Sequence, residues 1–353
     1  MILALILSLA PVPVRSGAPV LKGLDPVELA RGREVAGSPV RSIVRFGHHY
    51  VFASDATRTE FEADPARFEI QMGGACARMG PLSGKGDPDR FTVHDGRIYV
   101  FASDACREGF LAAPDRHIDA VEPPLAAEPA AIARGKALVQ LALDGLGGAA
   151  EVDAIRALER ETLRERTSGG KTYATRETWL WRFPDDLRSE SAWDERVYTC
   201  VATRNDAFQG SDSMEPLSEA GLAEFRRRQG REALWLLRHR DALGFEAAAR
   251  GESTVGDRKV AILRIRFEGN VTDLHLDAED GRVLRTSWTG RIESGVRGEV
   301  VVDHADFREE GGILLPHARE LRFDGKPVGH LSGPYDAVAV DPEIPPGAFL
   351  RGG

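Results

Sequence analysis

Positive charge is what this 353-residue chain lacks first. Lysine and arginine together number 46 against 55 aspartates and glutamates, a formal charge of −9. That balance argues against nucleic acid as a partner, because phosphate backbones demand a basic surface. Beyond the first residues no stretch approaches the roughly 20 apolar residues of a spanning helix, so the chain does not read as an integral membrane protein. Cysteine is scarce as well: only Cys76, Cys106 and Cys200 occur, with no C-x-x-C among them. There is no Gly-rich phosphate loop, no β-α-β alternation, no G-x-S-x-G and no H-x-x-x-H, which removes the commonest nucleotide, hydrolase and zinc signatures. What is present is ordinary globular material, 42% hydrophobic and 29% charged, long enough for two domains.

The chain begins MILALILSLA. Ile2–Leu9 has the length of a secretory h-region, and small residues allow cleavage after Ala10 or Ala18. Residues 1–18 are therefore expected to be a signal peptide, and the protein periplasmic or secreted. The missing Lys or Arg before the apolar run leaves a buried N-terminal strand as the other reading. No cysteine follows at a lipidation position, and export would permit a disulfide.

A repeat organises the N-terminal third. Tyr50–Phe61 reads YVFASDATRTEF and Tyr99–Phe110 reads YVFASDACREGF, an offset of 49 residues. Gly47, Pro65 and Arg67 match Gly96, Pro114 and Arg116 at the same offset. Each copy predicts a short strand, Val44–Phe52 or Phe91–Phe101, then Ser54 or Ser103 (or the following Asp) as helix N-cap. A helix then runs over Phe61 or Phe110 and stops near Pro65 or Pro114. Asp95-Gly96 marks a turn in the second copy. The repeated Tyr, Phe and Ser residues are expected to be core and caps.

Residues 122–129 (EPPLAAEP) read as a linker, within 120–129. A helix is predicted over Ala130–Leu146, ended by Gly147-Gly148, with a second over Glu151–Leu158. Alternating segments follow at Glu161–Arg166, Thr172–Phe183, Leu187–Trp193 and Arg196–Ala202. Helical spacing returns over Ser218–Leu243. Val255–Val340 predicts an antiparallel meander, with Leu263, Ile265 and Phe267 opposing Arg264 and Arg266 and hairpin turns at Asp280-Gly281 and Asp324-Gly325.

Leu24-Asp25-Pro26-Val27, the Tyr-Val-Phe-Ala-Ser strand end, Asp64-Pro65, Phe68 and Gly73-Gly74-Ala75-Cys76-Ala77 resemble the YHS domain family over residues 20–119. The resemblance implies a small α+β module able to bind heavy metal. The chain departs from the metal-binding pattern, because Ala53, Thr57 and Ala102 stand where thiols are expected. Cys76 and Cys106 remain as soft ligands, with His48, His49 and His94 in the same module (and His117 near its end), a set suited to Zn or Cu if it converged. The same two cysteines could equally form a disulfide joining the copies or be small buried hydrophobes.

From about 128 to 350, Leu146-Gly147-Gly148-Ala149, the alternating strands, Asp277…Asp280-Gly281, Leu314-Leu315-Pro316-His317 and Phe349 resemble LolA-like, outer-membrane lipoprotein-sorting proteins, over a domain spanning 130–350. This implies an incomplete antiparallel barrel wrapped round helices, with an apolar cavity for acyl chains. All five tryptophans (Trp179, Trp181, Trp193, Trp235 and Trp288) lie here, either lining such a cavity or filling the core. Arg226-Arg227-Arg228 reads as a solvated helix face, or as a seat for anionic head groups.

His304 near Asp303 and Asp306, and His317 after Pro316, invite an acid–base reading, but no nucleophile has a recognisable context. A strand residue and a turn residue are the plainer assignments. Cys200, in an apolar strand, reads as a buried thiol. The expected fold class is thus α+β: a duplicated α/β module followed by an antiparallel half-barrel wrapped around helices. The expected function is non-catalytic binding, of a heavy metal in the module and of a lipid or lipoprotein acyl chain in the half-barrel. The alternatives are a thiol- or metal-dependent redox enzyme using Cys76 and Cys106, and an envelope scaffold that docks a protein partner.

Overall fold

The computed structural model describes residues 17–119, 122–168, 171–292 and 295–351. The apolar run expected to be a signal peptide lies outside them. The chain divides into two compact units: Met1–Ala77 with Gly84–Glu108, and Arg78–Ser83 with Gly109–Gly353. The sequence placed the first boundary after residue 119. It falls earlier because the intervening residues bond to the second unit: Arg116 Nε donates to the Arg297 carbonyl at 3.1 Å.

The first unit comprises α1 (Pro26–Ala30), β1 (Ser38–Arg45), β2 (His48–Phe52), α2 (Asp55–Ala63), α3 (Pro65–Phe68), β3 (Asp87–His94), β4 (Arg97–Phe101) and the start of α4 (Asp104–Leu111). The sequence repeat is a structural repeat. Ser38 pairs with Phe52 and Asp87 with Phe101, and both registers shift at the same place, between Ser38 and Ser42 and between Asp87 and Phe91. Every one of these positions is related by the same offset. So are Gly37 and Gly86, where a Cβ would lie 2.5 Å from the Val51 oxygen and 2.8 Å from Val100 Cγ2. Only glycine lets the strand pass so close.

Each copy is a hairpin; the sequence marked the turn in the second copy at Asp95-Gly96 but predicted one unbroken strand in the first. In the first, Phe46 and Gly47 turn the chain with φ of 48° and 78°; in the second, Asp95 and Gly96 do so at 49° and 68°. Both central residues have positive φ, the twist-matched hairpin turn, and phenylalanine is a poor advertisement for it. Tyr50, Phe52, Phe61 and Phe68 form the core with Ile70, Ile98 and Val100. Ser54 caps α2 through a capping box with Thr57. Asp25 is fully buried and fixes three elements at once. It accepts from the Val27 N–H at 2.8 Å, from the Ala53 N–H at 2.7 Å and from the Thr57 hydroxyl at 2.6 Å. Thr57, at the position of Cys106 in the other copy, therefore has a structural role of its own.

The second unit contains α5 (Pro129–Leu146), α6 (Ala149–Ala154), β5 (Ala157–Ser168), β6 (Lys171–Arg182), β7 (Asp186–Trp193), β8 (Arg196–Ala202), β9 (Ala207–Gly210), β10 (Met214–Pro216), α7 (Glu219–Gln229) and α8 (Ala233–Arg238). It continues through β11 (Glu246–Val255), β12 (Arg258–Phe267), β13 (Asn270–Asp277), β14 (Val283–Gly290), β15 (Gly298–Glu310), β16 (Ile313–Phe323), β17 (Lys326–Pro327), β18 (Gly333–Pro334) and β19 (Ala337–Val340). The fold class is α+β, as expected. The single half-barrel is not what forms. Two open antiparallel sheets do, one ordered β10-β9-β8-β7-β6-β5-β19 and one running β11 to β17, with β18 beside β16.

Three predicted elements change. The meander ends with β17, and β19 crosses to pair with β5 in the other sheet. The helix expected over Ser218–Leu243 is two helices, and Leu243 lies beyond both and is exposed. The helix expected to reach Leu158 ends at Ala154, and buried Leu158 belongs to β5. Leu138, Ala142, Leu143 and Leu146 of α5 and Leu234, Leu236 and Leu237 of α8 pack with Leu263, Ile265, Leu274 and Leu276 in the main core. Among the described residues no helix is long and apolar enough to cross a membrane, which says nothing of spanning strands.

Candidate binding cavity

The metal ligands expected in the first unit do not converge. His48 and His49 are neighbours on β2 and so project to opposite faces. His48 is half-buried against Gly74, and burial, then Lys85, lowers its pKa. His49 Nδ1 lies 2.9 Å from the Gly17 carbonyl oxygen, and His94 Nε2 lies 3.6 Å from an Asp95 carboxylate oxygen. Cys76 is buried beside β4, bridging to Val100, with its N–H donating to Gly84 O at 3.1 Å. Cys106 sits half-buried in α4, its N–H donating to Ser103 Oγ at 3.2 Å. Both are thiols, as is Cys200, so the disulfide reading is not realised. Among the described residues no three His, Cys, Asp or Glu side chains are placed to hold a metal ion. Among the described residues the donors present do not converge into the tetrahedral site that their chemistry would have suited to Zn or Cu.

The second unit has an interior that its core does not fill. Glu177, Trp179 and Trp181 alternate onto one face of β6. Strand pairing carries that face sideways: Arg160 lies opposite Trp179, Trp179 opposite Ser189, Ser189 opposite Cys200 and Cys200 opposite Gln209. Across from this wall stand Thr286 and Trp288 of β14, Val302 and His304 of β15, and Arg319 and Leu321 of β16. Glu224 and Phe225 of α7, with Arg228 one helical turn further on, close the space. Two connected cavities result, of about 460 and 180 Å³, sharing Glu177, Trp179, Arg228, Arg291, Ile292 and Leu331. A third, of about 740 Å³, lies between α5 and the start of β11. None of its lining groups is a buried polar atom without a partner.

The expected apolar cavity is in fact amphipathic. Trp179 stacks on Trp181 with centroids 6.0 Å apart and on Phe225 at 6.1 Å. Beside them Arg160 pairs with Glu232, both nearly buried. The Arg160 and Arg319 guanidiniums lie 5.1 and 5.2 Å from the Tyr335 ring centroid, and Arg231 lies 5.2 Å from that of Trp288. Burial, reinforced by Arg228 and Arg227 and only partly offset by Glu224, brings the Arg231 pKa down to about 10. Burial would raise the Glu224 carboxyl, but Arg231, Arg228, Arg227 and Arg291 together hold it below its ordinary value. His304 Nε2 lies 2.9 Å from Thr286 Oγ1, and burial, then Arg160 and Arg319, lowers its pKa to about 3.

The arginine triplet is not a solvated face. Arg226 donates to Thr203 O at 3.1 Å, Arg227 to Asp119 at 2.6 Å, and Arg228 turns to the cavity. The tryptophans divide: Trp235 belongs to the core, its Nε1 donating to Pro184 O at 3.0 Å, Trp181 belongs to that core and also lines the cavity, and Trp179 and Trp288 line the cavity. No acid–base pair forms on β15. Asp303 meets Arg285 and Arg322, on the face opposite His304, and Asp306 pairs with Arg308 at 2.6 Å. His317 is buried within β16, not at a turn, 3.3 Å from Glu310. His117 is buried with Nδ1 3.1 Å from Arg78 O. Burial pushes the Cys200 thiol up to about 12.

Sequence reasoning named Trp179, Trp181, Trp288, Arg228 and His304 but not Arg160, Arg231, Glu232 or Tyr335. The alternation of β5 and β6 was visible. Which face would meet the other sheet was not.

No protein-family model matches the chain, and no curated protein matches it. Solved structures do show similarity. A DUF1329 family protein from Desulfovibrio piger is 14% identical, covering 61% of this chain and 96% of its own, with a TM-score of 0.41. An outer membrane lipoprotein-sorting protein domain from Vibrio parahaemolyticus is 10% identical over 61% of this chain and 97% of its own, TM-score 0.38. A LolA superfamily protein from Nitrosomonas europaea is 11% identical over 62% and 98%, TM-score 0.41. Likeness at this level is too loose to carry a function across.

Proposed function

We propose that the chain is a non-catalytic binding protein whose second unit holds an apolar or amphipathic molecule, such as a lipid or acyl chain, between its two sheets. The observation that carries this reading is the stacked Trp179–Trp181 pair at the border of the main core, Trp181 packed within it and both rings also lining the open space. Burying such aromatic surface against a ligand chain is favourable at about 25 cal/mol per Å², and a few polar groups among apolar walls are the usual make-up of a small-molecule site. The redox alternative, which draws on Cys76 and Cys106, has little to work with: Cys76 is buried, Cys106 is half-buried in α4, and no C-x-x-C joins them.

The test is a titration of lipid-stripped protein with cis-parinaric acid, read by energy transfer from tryptophan, with native mass spectrometry of the protein as purified. Micromolar, saturable binding that weakens in Trp179→Ala is the expected result. Absence of saturable binding, with no co-purifying lipid, would refute the reading.

A further inference from the structure

Resting on that reading, we propose that the occupant is an amphipathic anion: an apolar chain laid on Trp179 and Trp181, with a carboxylate, phosphate or sulfate received by Arg228 and Arg231 beside the Trp288 indole. Two independent observations point there. The first is charge. Five arginines line the two connected cavities against three glutamates, an excess of two positive charges, in a chain whose formal charge is −9. The second is hydrogen bonding. Among the described residues, the buried N–H groups of Arg160 Nε, Arg228 Nε, Arg231 Nε, Trp181 Nε1 and Trp288 Nε1 meet no acceptor within the protein. All five belong to residues lining the same space. The other lining atoms in the corresponding position are two oxygens, Gln209 Oε1 and Glu224 Oε1, and one ring nitrogen, His304 Nδ1.

Buried donors outside secondary structure are normally paired, because leaving them unpaired is costly. Five in one cavity call for an occupant rich in acceptor oxygens, and guanidiniums favour oxyanions. The internal acids do not meet this need. Glu232 is engaged by Arg160, and Glu224 approaches Arg228 Nε only to 3.6 Å. The Arg231 donor that does find a partner, Nη1, reaches a neutral one, the Arg291 carbonyl at 3.1 Å. Phe225 next to Arg228 on α7, and the indole pair beyond it, suit a chain that continues from the charged group.

The full chain, stripped of lipid, is titrated at pH 8 with laurate, with 1-dodecanol and with inorganic phosphate, following tryptophan emission. Laurate is expected to bind at least tenfold more tightly than dodecanol, and high salt to narrow the gap. Arg228→Gln should weaken laurate about tenfold and dodecanol much less, and Arg228→Lys should restore part of the laurate loss. Phosphate binding as tightly as laurate would support the anion site and assign it to a free anion. Equal affinity of the wild type for laurate and dodecanol would overturn the anion inference while leaving the carrier reading intact, and needs no variant to fold. Failure of all three probes would overturn both.

Discussion

His304 offers the sharpest quantitative test of the cavity's interior. Its ordinary pKa of 6.5 falls to about 3 in the folded chain, because burial and the neighbouring Arg160 and Arg319 oppose a third positive charge. Above pH 6.5 the imidazole is neutral in both states and its full contribution to stability is present. As pH falls below 6.5 the unfolded chain takes up a proton that the folded chain refuses, so stability drops until about pH 3. The slope is about 1.4 kcal/mol per pH unit for one such group. At pH 5.0, a unit and a half below the unfolded value, the loss is about 2 kcal/mol. His304→Gln keeps a hydrogen-bonding group opposite Thr286 and removes the titration. Urea unfolding of both proteins at pH 7.5 and 5.0, followed by tryptophan fluorescence, reports the second unit alone, since every tryptophan lies there. His117 and His275, whose pKa values burial also lowers, contribute equally to both proteins and cancel. Wild type should lose about 2 kcal/mol more than His304→Gln between the two pH values. An identical loss in the two would show that the imidazole is not held neutral between those arginines.

Glu232→Leu leaves Arg160, with a side chain only 7% exposed, without its partner. A loss of about 3–5 kcal/mol in the same urea assay is expected, and Arg160→Leu combined with Glu232→Leu should regain most of it. Cys200 should resist a thiol reagent at pH 8 in the folded protein and react in denaturant, and rapid labelling in the native state would contradict its burial. Elemental analysis after incubation with zinc or copper should give the same metal content for wild type and for Cys76→Ser/Cys106→Ser. One ion per chain lost with the pair would show that the first unit assembles ligands that its arrangement does not bring together.

Much of the architecture was legible locally. Periodicity placed the four strands from Glu161 to Ala202 and the helix ending at Leu146, and Gly147 stops that helix as a C-cap should. The repeat of Tyr50–Phe61 at Tyr99–Phe110 foretold two like units, and the structure adds a register shift shared by both. Readings failed where distant groups decide. Phe46 adopts positive φ because the hairpin's twist requires it, against phenylalanine's own preference. Leu158 is apolar whether it ends a helix or starts a strand, and only the pairing of β5 with β6 and β19 chooses.

By itself the sequence determined the local elements, the duplication, the acidic surface balance and the concentration of tryptophan in one half, all set by neighbours within a few residues. Tertiary structure alone decided that β19 joins β5, that the sheets stay open, and that arginines far apart in the chain meet Trp179 and Trp181 around one space. The reason is physical: pairing partners, burial and the field that Arg160 imposes on His304 depend on groups scores of residues away, whose approach no local pattern encodes.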